Sequence, residues 1–492
     1  MYSTCSKSSS NLLDGLYACI NARVPRFESR YKFIRDTKSL DEQLFIDDFS
    51  KLPLYVTSFS DDPDEQLDSL NLLFTECLER HAPLRKVKVT RPPAPWMETP
   101  HIEDLQQERN TLRHAAHLPN AHSSTWNSFR SVRNRLKQAV RSARKSFIEK
   151  ALSSNKSREI WRVIHRILEP SPKPLRIDPD ELNVHFSTTA QRTIGAPATS
   201  LDTLANIIDS LPEIPDNIQH FTIQPVTRRG VLECIKSLRS DSSTGADTIP
   251  ARFVKLVAEH LANPLTHIIN NCIKRSYFPT KWKMARGSPI PKVVNPTSMN
   301  ELRPISILPV LSKVFEKAVE IQMLSFAEGA SLLHEGLSSF RKGHSATTAL
   351  LGMRDDIWKA MDKGAVTLMV MADFSKAFDT ICFRTTLLKL HKVGFTKPSL
   401  KWLLSYLCDR RQFIQIDDKS SSCQTIAFRI PQSILGPMIF NLYVSDFKYI
   451  ILGSTKCSQY ADNTTLYHHT PMQDLAGGVS LMNNALCEPQ LV

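Results

Sequence analysis

Two aspartates, each closing a short apolar run, carry the chemistry that this sequence offers. Val366 to Ala372 is apolar and β-prone and ends on Asp373, followed by Phe374-Ser375-Lys376-Ala377-Phe378-Asp379. Later in the chain, Tyr460-Ala461-Asp462-Asn463 stands between a short apolar run and Thr464-Thr465-Leu466-Tyr467. That pattern predicts a hairpin whose tight turn presents a carboxylate. Two strands that each end in Asp can converge on one metal cluster. A metal that bridges an attacking and a leaving oxygen needs such clustered hard oxygen ligands. The neighbouring Asn463 brings an amide oxygen and no charge.

Other residues near these runs have plainer readings. Asp379 reads as the cap of the next helix, and Tyr460 as a packing residue. Arg303, just before Pro304, reads as a local partner of Glu301. His344 and the adjacent His468 and His469 read as surface or core histidines, not metal ligands.

The elements that must position the two aspartates can be read from periodicity. From residue 221 helices and strands alternate. Helices are predicted at Val226–Leu238, Ala251–Leu261, Pro309–Phe326, Phe383–Val393 and Ile434–Phe447, with Pro264 opening a further helix at its first turn. Strands are predicted at Arg286–Pro291 and Gly364–Asp373, with Arg411–Ile416 paired to Cys423–Ile430. A final hairpin at 457–468 leads into a polar tail.

Residues 1–95 read as weakly structured apart from one amphipathic helix, about Glu65 to Arg80, and residues 176–220 as a loop-rich connector. Residues 96–175 read as a separate basic helical segment. Trp126, Phe129, Val132, Leu136, Ala139, Ala143, Phe147 and Ala151 recur at spacings of three and four, one stripe of a long helix. A second helix, about 157–168, stacks Arg158, Arg162 and Arg166 at i, i+4 and i+8.

Charge tracks this organisation. The 492 residues carry a net charge of +13. Residues 85–176 hold 20 Lys and Arg against 7 Asp and Glu, so the excess lies in this segment and the rest is balanced. A basic block confined to helices predicts a surface that tracks phosphates, with Arg130, Arg133, Arg141, Arg158, Arg162 and Arg166 as contacts. The ten cysteines stand singly without CxxC spacing, which argues against a structural zinc site and a disulfide framework. No apolar run approaches the ~20 residues that a membrane helix needs. These features predict a soluble, intracellular chain without membrane or stable protein partners, with nucleus and cytoplasm both open.

An ordered set of motifs carries a resemblance. They are Ser243-Thr244-Gly245-Ala246-Asp247, Pro289-Ile290-Pro291-Lys292, Leu302-Arg303-Pro304-Ile305-Ser306, Ser339-Phe340-Arg341-Lys342-Gly343-His344-Ser345, the run from Ala372 to Asp379, Pro431-Gln432-Ser433-Ile434-Leu435-Gly436-Pro437, and Tyr460 to Asn463. Over about residues 221–470 the chain resembles the reverse transcriptase of non-LTR, LINE-type retrotransposons, close to the jockey-like group.

The resemblance implies an α+β fold, the fingers and palm of a right-hand polymerase. An antiparallel palm sheet with helices would be preceded by the basic helical segment. It implies RNA-directed DNA synthesis with two Mg²⁺ ions, an RNA template, a DNA primer and deoxynucleoside triphosphates. Asp373 and Asp462 would be the metal carboxylates, and Phe378 the steric gate against a ribose 2′-hydroxyl. Gln432 would contact the incoming nucleotide. Lys292, Arg303 and Arg341 would be basic fingers positions, with Arg341 on the triphosphate.

Three departures from the family pattern predict an impaired copy. Asn463 stands where the family has a second Asp. Losing a unit charge ~4 Å from a cation is worth on the order of 4 kcal/mol at an effective dielectric of ~20, or about a thousandfold in rate. The family's Gly after Pro-Gln is missing, and a one-residue deletion absorbed by a helix rotates the downstream side chains by ~100°. The chain also ends soon after the hairpin, with no thumb-like helices after it and no endonuclease before it, so it reads as a truncated, partly degenerate copy.

Overall fold

The computed structural model describes residues 30–37, 40–89, 94–118, 122–153, 160–161, 177–195, 200–293, 296–374, 376–426, 429–447 and 455–487. The chain divides into two compact units, residues 1–33 with 86–176, and residues 34–85 with 177–492.

In chain order, strand β1 (Arg30–Arg35) precedes helices α1 (Glu42–Ser50) and α2 (Pro63–His81), and β1 pairs with β2 (Leu84–Val89). The division between the units falls within these two strands. Next come α3 (Pro100–Ala116) and α4 (Ser123–Leu152). They pack through Ile102, Leu105, Val132 and Leu136, a small core flanked by Leu112, Ala139, Val140 and Ala143. The apolar stripe of α4 is therefore buried only at its middle, and Arg130, Arg133 and Arg141 are exposed. Arg158, Arg162 and Arg166 lie outside the described residues.

Residues 34–85 differ from the weakly structured segment that the sequence suggests. Asp62 caps α2 through its side chain, Pro63 opens it, and Asp64 and Glu65 suit its first turn. Its Leu67, Leu70, Phe74 and Leu78 are fully buried in the main core, with Phe45 and Phe49 of α1. Asp64 accepts bonds from the Thr280 backbone (2.8 Å) and the Tyr277 hydroxyl (2.6 Å). The partners of this segment lie some 200 residues away, beyond the reach of local pattern.

The predicted connector also holds helices, α5 (Pro179–Ser187), α6 (Thr189–Ile194) and α7 (Leu201–Ser210). Asn183 of α5 is completely buried and donates to the carbonyls of Gln412 (3.3 Å) and Ser422 (2.8 Å).

Helices α8 (Arg228–Ser237), α9 (Ala251–Leu256) and α10 (Ala258–Lys274) come next. The break falls at Val257, so Pro264 lies inside α10 and does not open a helix. Pro264 costs one helical bond, and its burial with Leu261, Leu265 and Ile268 offsets that loss.

Strands β3 (Met284–Pro291) and β4 (Leu302–Ile307) form a hairpin and lead to α11 (Val310–Gly329) and α12 (Ala346–Met361). Then come strand β5 (Ala365–Asp373), helices α13 (Phe383–Lys392) and α14 (Lys397–Leu407), and strands β6 (Arg410–Ile416), β7 (Lys419–Ser420) and β8 (Gln424–Ile426). The described chain closes with α15 (Gly436–Val444), β9 (Lys456–Tyr460), β10 (Asn463–Pro471) and α16 (Leu475–Cys487).

Two sheets result. One is antiparallel, in the order β5-β10-β9, and the other is mixed, with β3 antiparallel to β4 and parallel to β6. The predicted polar tail is α16, which buries Met482 and Ala485. Among the described residues no helix is long and apolar enough to cross a membrane.

Candidate active site

The two aspartates meet at one end of the antiparallel sheet. Strand β10 is central, and its first residue, Asn463, lies opposite Asp373 of β5 and opposite Tyr460 of β9. The turn between β9 and β10 is therefore Ala461-Asp462. Ala461 takes φ +53°, a left-handed conformation that costs a side-chain-bearing residue about 1 kcal/mol. Two tight ladders and a bond from the Phe374 N–H to the Asp462 carbonyl (2.9 Å) hold it there. Asp373 is exposed and Asp462 half-buried. The Asn463 amide donates to the Asp462 carboxylate (3.3 Å), so a neutral donor sits where a third carboxylate would repel. Tyr460 is 40% exposed and is not a core residue.

The segment after Asp373 reaches a second motif. The Phe378 carbonyl accepts from the Ile430 N–H (3.0 Å), just before Pro431 and Gln432. The Phe378 ring stacks on Phe440 of α15 at 4.8 Å and meets Phe340 edge-on at 6.2 Å. The stretch from Phe374 to Phe378 is thus bonded to the Asp462 turn at one end and to the Gln432 loop at the other. Asp379 does not cap α13, whose N-cap Cys382 makes no side-chain cap bond. It accepts from the Arg429 Nε instead (2.6 Å), an ion pair with both side chains largely buried.

Gln432 is exposed, and the loop around it is fixed from below. Glu316 of α11 is completely buried and accepts from Ser433 Oγ (3.1 Å), the Leu435 N–H (3.3 Å) and the Tyr406 hydroxyl (3.1 Å). Burial raises its pKa, and the nearby Arg410 charge opposes that rise. Arg410, also buried, donates its Nε to the Tyr406 carbonyl (2.7 Å) and lies over the Tyr406 ring at 4.3 Å. A Cβ on Gly436 would stand 1.9 Å from the Pro431 carbonyl oxygen, so the loop closes tightly on the start of α15. Glu316 was legible as an acid among Leu311, Val314, Phe315 and Val319, yet its partners come from two other elements.

The basic residues are divided. One Arg341 nitrogen, Nη1, donates to the carbonyls of His334 (3.1 Å) and Leu337 (3.0 Å), which binds it to its own loop. It borders a cleft with Glu328 and Glu335. Lys292 and Arg303 are exposed on the β3–β4 hairpin, and Lys292 donates to the Asn300 carbonyl (2.7 Å). Glu301 accepts from Thr297 and Ser298 in a capping box, with no bond to Arg303 among its contacts.

Sequence reading missed Arg192 and Lys376. Burial lowers the pKa of His185, as do the charges of Arg192, Lys376 and Lys292, in that order. All three charges act on this one histidine of α5. Lys376 also donates to Thr193 (3.3 Å).

This geometry bonds the Asp462 turn and the Gln432 loop to the segment that follows Asp373, and comparison with known proteins gives it a class. Residues 290–491 match the reverse transcriptase (RNA-dependent DNA polymerase) family. The chain is 24% identical over 298 residues to the RNA-directed DNA polymerase from mobile element jockey of Drosophila melanogaster, covering 58% of this chain and 32% of that protein. Its counterpart from Drosophila funebris is 23% identical over 407 residues, 79% of this chain and 44% of that one. A protein of transposon BS from Drosophila melanogaster is 29% identical over 226 residues, 46% of this chain and 25% of that protein.

The chain thus carries an RNA-directed DNA polymerase domain. Within that class it is similar to the jockey-like reverse transcriptases of non-LTR retrotransposons. The matches span less than half the length of these relatives.

Proposed function

We propose that residues 221–492 are the fingers and palm of a polymerase that copies RNA into DNA, with nucleotidyl transfer impaired in this copy. The observation that carries the reading is the stretch from Phe374 to Phe378, bonded to the Asp462 turn and to the Gln432 loop. In-line phosphoryl transfer requires charge neutralisation and positioning together, and one anchored segment serves both.

Asp373 and Asp462 would hold Mg²⁺, and when bound it would neutralise the phosphate oxygens on which negative charge develops. Their hard oxygens suit one such ion. Two ions call for a further anionic ligand, and Asn463 supplies none. Among the described residues no group of three or more His, Cys, Asp or Glu is placed to hold a metal. Phe378, packed between Phe340 and Phe440, would abut the sugar of a deoxynucleoside triphosphate near Gln432. Arg192, Lys292 and Lys376 are candidates for the triphosphate beside Arg341, and each of the four already donates to a neighbouring oxygen.

Extension of a DNA primer on an RNA template, with Mg²⁺, tests this. The unmodified chain should extend little. Asn463→Asp combined with a glycine inserted between Gln432 and Ser433 should raise extension, and adding Asp373→Asn should abolish the gain. Robust extension by the unmodified chain would overturn the impairment. Extension indifferent to Asp373→Asn would overturn the site.

A second reading, a noncatalytic nucleic-acid binder, is favoured by the exposed Arg130, Arg133 and Arg141 on α4. Binding through them should weaken steeply with salt, and changing all three to Gln should reduce the slope of log affinity against log salt by about 2 to 3. An unchanged slope would remove α4 from the interface.

A further inference from the structure

The outer part of the β1–β2 ribbon repeats one arrangement. Tyr31 and Phe33, two residues apart on β1, lie on one face of the strand. Both are solvent-exposed, at 41% and 46%. Lys86 of β2 lies over both rings, its ammonium 4.9 Å from the Tyr31 centroid and 5.8 Å from that of Phe33. Lys88 lies 5.7 Å from the Tyr31 centroid. Lys32 is an exposed cation on the opposite face of the strand, and residues 30–33 and 86–89 contain no acid. The whole patch belongs to the unit that also holds α3 and α4. A soluble ribbon gains nothing from leaving two aromatic rings half in water, whereas a polyanion with flat apolar faces matches both of its features.

We infer that this ribbon is a binding site for single-stranded nucleic acid. Bases stack on Tyr31 and Phe33. The ammonium groups of Lys86 and Lys88 move from the ring faces to the phosphates of the same strand. A base offers the ring a larger flat partner than an ammonium does, and the displaced cation keeps its electrostatic gain on the phosphate. Duplex is excluded, because its bases are already stacked within the helix and present only their edges. Recognition by stacking is tolerant of sequence and takes RNA or DNA. The inference does not depend on polymerase activity.

The test uses the full chain and labelled 20-nucleotide oligonucleotides, uridine-rich RNA, the matching DNA, and a duplex of the same length. Tyr31→Ala with Phe33→Ala should weaken single-strand binding by roughly tenfold per ring, leave the salt slope unchanged, and spare duplex binding by α4. Tyr31→Phe should bind like the unmodified chain, since it keeps the ring. Lys86→Gln with Lys88→Gln should lower the salt slope by about 1 to 1.5. Because the rings are exposed, the helical content of the alanine variant, read by circular dichroism, should match that of the unmodified chain. Unchanged single-strand affinity in the well-folded alanine variant would overturn the inference. So would an equal loss on duplex, or quenching of the ribbon by a protein partner and not by oligonucleotide.

Discussion

At the residue scale, the site turns on two neighbours. Ala461 is held at φ +53° so that Asp462 can stand on a two-residue turn beside Asp373. Glycine adopts that conformation without its Cβ penalty. Ala461→Gly should therefore raise stability by up to about 1 kcal/mol, read as a higher urea midpoint at unchanged m-value. A fall in the midpoint would mean that the Ala461 methyl contributes packing that outweighs the strain. Asn463 acts differently. Its amide donates to Asp462, so two polar side chains stand together on the turn without repulsion. Restoring a carboxylate there brings back a repulsion that only a cation relieves.

At the element scale, the hairpin is held by a strand-like contact that no motif announces. Residues 336–338 run beside β9. The Gln459 N–H donates to the Gly336 carbonyl (2.8 Å) and the Ser338 N–H to the Gln459 carbonyl (3.0 Å). A Cβ on Gly336 would lie 2.0 Å from the Cys457 carbonyl oxygen. Backbone cannot yield as a flexible side chain can, so Gly336→Ala should destabilise the domain by about 2 kcal/mol or more, measured by urea unfolding. A change below about 0.5 kcal/mol would show that the loop lifts from β9 freely. Beneath Ser433 the buried charges of Glu316 and Arg410 interact through space, a polar and deep effect of the opposite kind. Removing one partner leaves the other charge buried, so Glu316→Ala should cost about 3 kcal/mol or more, and Glu316→Ala with Arg410→Met should recover part of the loss. A double variant whose loss equals the sum of the singles would exclude direct coupling.

At the scale of the whole polymerase unit, buried acids set how stability depends on pH. Burial pushes the Asp247 carboxyl from 3.8 to about 6, against bonds from the backbone and the charges of Lys313 and Arg286. Glu316 is raised by burial as well. A folded state that holds a proton more tightly than the unfolded chain is favoured below the unfolded pKa, and loses that advantage as pH rises through the folded pKa. Relative to Asp247→Asn, the unmodified chain should therefore lose on the order of 1–2 kcal/mol between pH 4 and pH 7. Urea midpoints for both chains across that range check this. Parallel curves would mean that Asp247 is ionised at no cost, held by Arg286 and Lys313.

The sequence by itself determined the local facts. The two Asp-ended runs, the hairpin turn at 461–462 and most of the helices and strands after 221 come from periodicity and turn chemistry, and the resemblance to jockey-like reverse transcriptases from ordered motifs. These depend on residues close together in the chain. Tertiary structure alone decided which partners those residues take. It gave Asp379 to Arg429 in place of a helix cap, tied Arg341 to its own loop, and bonded Lys376 to Thr193. It also brought residues 34–85 into the main core through Phe45, Phe49 and Phe74. A side chain's local pattern says which face of its element is apolar, but not which distant surface buries it. Ion pairs and buried charges are set by that distant surface, because the cost of desolvation makes each charge take whichever opposite charge the packing brings within reach.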